Sequence, residues 1–157
     1  LGLTATICLQ VSLMGIGLML FAWLVEGELD GLLWQGILFA LFEAILVCAI
    51  ATFFSSVVIT TTLTALYTSG VYIAGRSIEY LSYFLNQNSD YPQSIQATAR
   101  ILQKVLPNFS AFNISDSIVY GQAIPTHQIL ISLGYCLSYS SVLIALAIVI
   151  FEKRELT

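Results

Sequence analysis

The stretch from Leu32 to Gly75 runs for forty-four residues and carries a single charge, Glu43. As one helix it would reach about 66 Å at 1.5 Å per residue. The hydrocarbon core of a bilayer is only about 30 Å thick. The stretch is too long for one crossing and long enough for two, so the chain must turn inside it. The turn is predicted at Phe53-Phe54-Ser55-Ser56, where two aromatics suited to a membrane interface meet two residues suited to a tight turn.

Composition places the rest of the chain in the same class. Of 157 residues, 58% are hydrophobic and only 9% charged, with a mean hydropathy of +0.90. Soluble domains carry about 25% charged residues. The expected fold class is therefore all-α, a polytopic transmembrane helical bundle lying in the lipid bilayer. A net charge of −4 gives no pointer to nucleic acid. Cys8, Cys48 and Cys136 all fall in apolar segments without a CxxC pair and read as reduced packing residues. One histidine, His127, and no Cys/His cluster give no reason to expect a metal or another cofactor. The chain opens on Leu1 with no basic run before its apolar segment, so it reads as part of a longer protein rather than as a signal peptide.

Taken in order, four spans are predicted, at about 3–25, 34–53, 57–75 and 128–151, in one domain covering 1–157. Ala5, Cys8, Ser12, Gly15 and Ala22 form a small-residue stripe on the first span, and Gly134, Ser138, Ser141 and Ala145 form another on the last. Such stripes let helices approach closely in lipid. Trp23 and Trp34 flank an acidic turn, Glu26 to Gly31, as at a membrane interface. Residues 76–126 form the long polar segment, expected to be external. Within it, Pro92–Leu106 has an apolar face at helical spacing, including Leu102, and Pro107 stops it. A second short helix is expected over Ser115–Tyr120. Together they are expected to form an external lid, with Leu102, Pro107, Phe109 and Phe112 in it and Phe109, Phe112 and Ile114 buried in the link. Asn108-Phe-Ser and Asn113-Ile-Ser match the glycosylation pattern and are read as coincidence. The basic pair Lys153-Arg154 after the last span puts that end in the cytoplasm. An even number of spans puts Leu1 there too. Arg76, Arg100 and Lys104 then lie outside, and of these Arg76 runs against the charge rule.

Several of these pieces occur together in a known family. Leu1-Gly2-Leu3 opens a span; Glu43 precedes Phe53-Phe54-Ser55-Ser56; Leu106-Pro107-Asn108-Phe109, Phe112-Asn113, Val119-Tyr120-Gly121 and Ile124-Pro125 follow; Gly134-Tyr135 and Phe151-Glu-Lys-Arg-Glu-Leu complete the series. With these the chain resembles the C-terminal part of type 2 ABC transporter permeases (ABC-2), in particular those linked to multicopper-enzyme and nitrous-oxide-reductase maturation. The resemblance covers nearly the whole chain and is most specific over 106–125. It implies a six-span permease with both ends cytoplasmic, of which these are spans three to six. It also implies a separate ATP-binding subunit, a second permease copy, and a bacterial inner membrane location. No GxxxxGK[ST] motif is present, so ATP hydrolysis is expected in that other subunit and no enzyme activity in this one.

Glu43 is the one ionisable residue well inside a predicted span. A carboxylate in lipid costs roughly 2.5–3.5 kcal/mol on insertion scales. It should face the bundle and be protonated or hydrogen-bonded. A turn at 53–56 puts no basic residue at its depth and brings Tyr67 and Thr68 near its level as candidate partners. Two roles follow: a residue on a transport path, or a hydrogen bond that locks two helices. The expected function is transport powered by a partner ATPase. The alternatives are a membrane scaffold docking a periplasmic protein and an ion-coupled carrier using Glu43.

Overall fold

The computed structural model describes residues 2–26, 31–87, 106–114, 117, 120 and 122–155. Four long helices make up most of it: α1 (Gly2–Glu26), α2 (Gly31–Val57), α3 (Thr61–Gln87) and α4 (Thr126–Glu155). One turn of 3-10 helix, Phe109–Phe112, lies between α3 and α4. There is no strand among the described residues.

The hairpin turns later than its serines predict. Ser55 and Ser56 stay inside α2, where the Ser56 hydroxyl donates to the Phe53 carbonyl at 2.7 Å. A serine that bonds its own helix in this way is content there, and its turn propensity is not used. The turn is Val58–Thr60. The Val58 N–H closes the end of α2 on the Phe54 carbonyl at 2.8 Å, and the Thr64 N–H opens α3 on the Thr60 carbonyl at 3.1 Å. At its far end α3 does not stop at Gly75. It runs on to Gln87, taking in Arg76 and the amphipathic piece expected just outside the span.

Three helical segments among the described residues are long and apolar enough to cross a membrane: Ala5–Val25, Gly31–Val57 and Thr126–Lys153. Helix α3 matches α2 in length, at 27 residues. Its threonines, serines and tyrosines, with Arg76 and Glu79, keep it out of that set, where four spans were expected. The predicted Pro92–Leu106 helix, Leu102 included, lies outside the described residues. So does most of the predicted Ser115–Tyr120 helix, of which only Ser117 and Tyr120 are described.

Helix α2 is the hub, packed against α1, α3, α4 and the 3-10 turn. Successive contacts fix the directions. Gly15 meets Ile37 while Ile7 shares a cavity wall with Val47, and Glu43 meets Arg76 while Phe54 stacks on Tyr67, so α1 and α3 run antiparallel to α2. Gln35 bonds Ile124 and Phe42 bonds Cys136, and further on Ala51 and Ser55 share a cavity wall with Ile144 and Ile148, so α4 runs parallel to α2. Phe39, Phe42, Leu46 and Ile50 of α2 form the centre of the core with Cys136 of α4 and Phe109, Phe112, Ile114 and Ile124 of the connecting segment. Many hydroxyls within the helices are satisfied locally, though the buried Ser140 hydroxyl of α4 is not. Thr6, Ser12, Thr52, Thr64, Thr68, Ser77 and Ser141 each donate to the carbonyl four residues back. That suits a solvent with no hydrogen bonds to offer. Leu9, Leu13, Leu20 and Leu24 of α1 are each more than half exposed, the surface of a helix meant for apolar surroundings.

The two small-residue stripes fare differently. On α1, Gly15 is buried against Ile37, with Cys8 and Ser12 half-buried on the same side. On α4 the expected stripe faces away from the bundle: Gly134, Ser138, Ser141 and Ala145 are all exposed, and nothing lies within 4 Å of where a Gly134 Cβ would sit. A neighbouring row, Ser132, Cys136, Ser140 and Ala147, makes the contact instead. The Cys136 thiol donates to the Phe42 carbonyl of α2 at 3.3 Å. Both rows are small, so size alone could not choose between them; the large side chains Phe39 and Phe42 on the facing helix do.

Candidate functional site

Glu43 lies sixteen residues before Ile59, at the centre of the turn, and Gly75 lies sixteen after it. An antiparallel hairpin folded there brings the two to one level. Arg76 then reaches Glu43: its Nη1 donates to Oε1 at 2.8 Å, and the Tyr72 hydroxyl donates to the same oxygen at 3.0 Å. The Glu43 side chain is 20% exposed and that of Arg76 38%. A formally neutral pair thus replaces what the sequence presents as an isolated carboxylate.

The expected partners do not bond Glu43. The Tyr67 ring stacks on Phe54 at 5.5 Å, and the Thr68 hydroxyl donates to the Thr64 carbonyl at 2.8 Å. A turn centred four to five residues too early displaces the level on α3 opposite Glu43 by about twice that, from near Tyr67 to Gly75. It hides both Tyr72 and the basic residue at the depth of Glu43.

The segment after α3 closes onto the same level. Phe109 is fully buried, its ring edge-on to Tyr72 at 5.1 Å. It lies over Gly75, where an added Cβ would meet the Phe109 ring at 2.7 Å and collide with the Pro107 carbonyl. Gly75 is therefore the opening in α3 that admits this segment. The Ser110 hydroxyl donates to the Arg76 carbonyl at 3.1 Å, and the Asn108 side chain caps the 3-10 turn by accepting from the Ser110 N–H at 3.1 Å. The Asn108 N–H donates to the Tyr135 hydroxyl of α4 at 2.9 Å, and Phe112 packs against the Tyr135 ring at 6.0 Å. Further along, the Gln35 side-chain amide pairs with the Ile124 backbone in both directions, accepting at 3.0 Å and donating at 3.3 Å. Pro107, Phe109 and Phe112, expected together in a lid, are brought together here, all buried, between α2, α3 and α4. Trp34 precedes Glu43 by nine residues on α2, so Phe109 sits about 13 Å along the bundle from the level of Trp34.

On the other side of the ion pair, a cavity of about 660 Å³ opens between α1, α2 and α3. Glu43, Thr68, Ser69 and Tyr72 give it one polar wall, and Ile7, Val47 and Ile73 are among its apolar residues. Among the described residues, no group of three or more His, Cys, Asp or Glu could hold a metal ion.

No family model, curated protein or solved structure matches this chain.

Arg76, Tyr72, Gln35, Gly75 and Tyr135 are the residues sequence reasoning missed. For Arg76 a signal was available: an acid and a base stand almost equidistant from the middle of one apolar hairpin. Reading Arg76 as the residue that ends a span concealed it. Gln35 and Tyr135 act on backbone groups far away in the chain, and nothing in their sequence neighbourhood marks that.

Proposed function

We propose that the chain is the permease subunit of an ABC-2-type transporter in a bacterial inner membrane, moving substrate with energy from a separate ATP-binding subunit and working beside a second permease copy. In this reading α1 to α4 are four crossings, both ends of the chain are cytoplasmic, and the segment before α4 enters from the outside. The observation that carries the reading is the clasp made by Asn108, Ser110 and Ile124. The stretch most specific to the resemblance, 106–125, is also the one tied by side chains to α2, α3 and α4. Irregular backbone at such depth is tolerated where protein surrounds it. A movement of the helices that opened the outer mouth would have to rearrange those bonds, as alternating access requires of some element.

The ion pair also bears on sidedness. Arg76 bound to Glu43 is a neutralised residue inside a bundle, so its outward placement no longer counts against the charge rule. The test is reconstitution. The full-length protein, purified from its own membranes after mild cross-linking, should bring down a protein bearing GxxxxGK[ST]. That partner's ATP hydrolysis should change at least several-fold when the two are joined in liposomes. A stable, folded preparation with no such partner would favour the scaffold reading.

A further inference from the structure

The carboxylate of Glu43 is only half used. Both of its bonds, from Tyr72 and from Arg76, land on Oε1, and Oε2 accepts from no described residue. Glu43 forms part of the wall of the 660 Å³ cavity between α1, α2 and α3, a volume in the range of small-molecule sites. Beside it, the Thr68 hydroxyl proton is directed to the Thr64 carbonyl, so its oxygen faces its surroundings as an acceptor. The rest of the wall is mainly apolar, with Ile7, Ala40, Val47 and Ile73 among its residues. A cavity built this way offers acceptors at one spot and hydrocarbon elsewhere.

We infer that this cavity is a binding site for uncharged amphipathic molecules that carry a hydrogen-bond donor, a hydroxyl or an amide N–H, on an apolar body. The donor goes to Glu43 Oε2 and the body lies along Ile7, Val47 and Ile73. Charge is excluded by the pair itself. Glu43 and Arg76 already cancel, and a charged ligand would leave a net charge among apolar side chains at a depth where charge is costly. Two sources share this chemistry: a lipid with a hydroxyl headgroup and a diffusing amide of drug size. The inference does not depend on the transport reading, because binding is measured without nucleotide or partner.

The test uses two diazirine-bearing probes, an alkylglycerol and an apolar aryl carboxamide, each beside a fully methylated counterpart that keeps its shape but has no donor. The full-length protein in nanodiscs is photolabelled and the labelled peptides are mapped. Donor probes should label the peptides around Ile7, Val47 and Ile73 about tenfold more strongly than their methylated forms, the worth of roughly one hydrogen bond. The donor probe that labels more strongly names the source. Glu43→Gln should reverse the preference. Its amide oxygen must stay with Arg76 and Tyr72, which turns an N–H toward the cavity and rejects donors. Ile73→Trp fills the space without touching the ion pair and should abolish labelling by both donor probes; it stands as the test of location if Glu43→Gln fails to fold. Equal labelling by donor and methylated probes, or labelling unchanged by Ile73→Trp, would overturn the assignment.

Discussion

Arg76 shows how much one side chain can carry in such a chain. It neutralises Glu43, and its carbonyl receives the Ser110 hydroxyl, so α2, α3 and the connecting segment meet on one residue. Removing one member of a buried ion pair leaves an unpaired charge. With Arg76 more than a third exposed, Arg76→Leu should cost about 1–3 kcal/mol, below the 3–5 typical of full burial. The double variant Glu43→Leu/Arg76→Leu should cost less than Arg76→Leu alone, because no charge is then stranded. Thermal unfolding of the purified protein in one detergent checks this; a double variant as unstable as the sum of its parts would mean that the two side chains do not act as a pair. Glu43 was legible in the sequence because it is a lone charge in forty-four residues. Its partner was not, because partnership depends on where the hairpin turns. The turn falls in Val58–Thr60, two of whose three residues are apolar, and the Ser55-Ser56 signal is absorbed by the helix.

At the scale of elements, long apolar runs settle α1, α2 and α4, and their predicted limits lie within a few residues of those observed. The choice of packing face is harder to read. Small residues occur all round α4, and only the aromatic side chains of α2 select the Ser132, Cys136, Ser140 and Ala147 row. On α3, Gly75 is the close-packed position and has no small-residue stripe to announce it. Its need for glycine comes from Phe109 and Pro107, more than thirty residues later. Gly75→Ala should therefore force the clasp outward and destabilise the fold by about 1–3 kcal/mol, as overpacking does. Gly134→Ala, with open space beyond it, should leave stability nearly unchanged. Paired melting curves check both; a loss at Gly134 equal to that at Gly75 would return the α4 stripe to the core.

For the whole molecule the question is how many times the chain crosses the membrane. Length and hydropathy alone favour three helices, and α3 falls short because of its hydroxyls, Arg76 and Glu79. Its packing supplies what its composition lacks. The Thr64, Thr68 and Ser77 hydroxyls are bonded within the helix, Arg76 is paired, and Tyr72 is covered by Phe109. A helix so satisfied can lie in lipid beside α2 although it would be a poor candidate by itself. Crossing by α3 puts the Val58–Thr60 turn and the start of α4 on opposite sides of the membrane, and the permease reading depends on that. Sided cysteine labelling measures it directly, using Ile59→Cys and Gln122→Cys, both at exposed positions, in the full-length protein with its native cysteines replaced. In intact cells a membrane-impermeant maleimide should label Gln122→Cys, and it should reach Ile59→Cys only after the membrane is opened. Labelling of both cysteines from the same side would contradict the four-crossing fold and the permease reading with it.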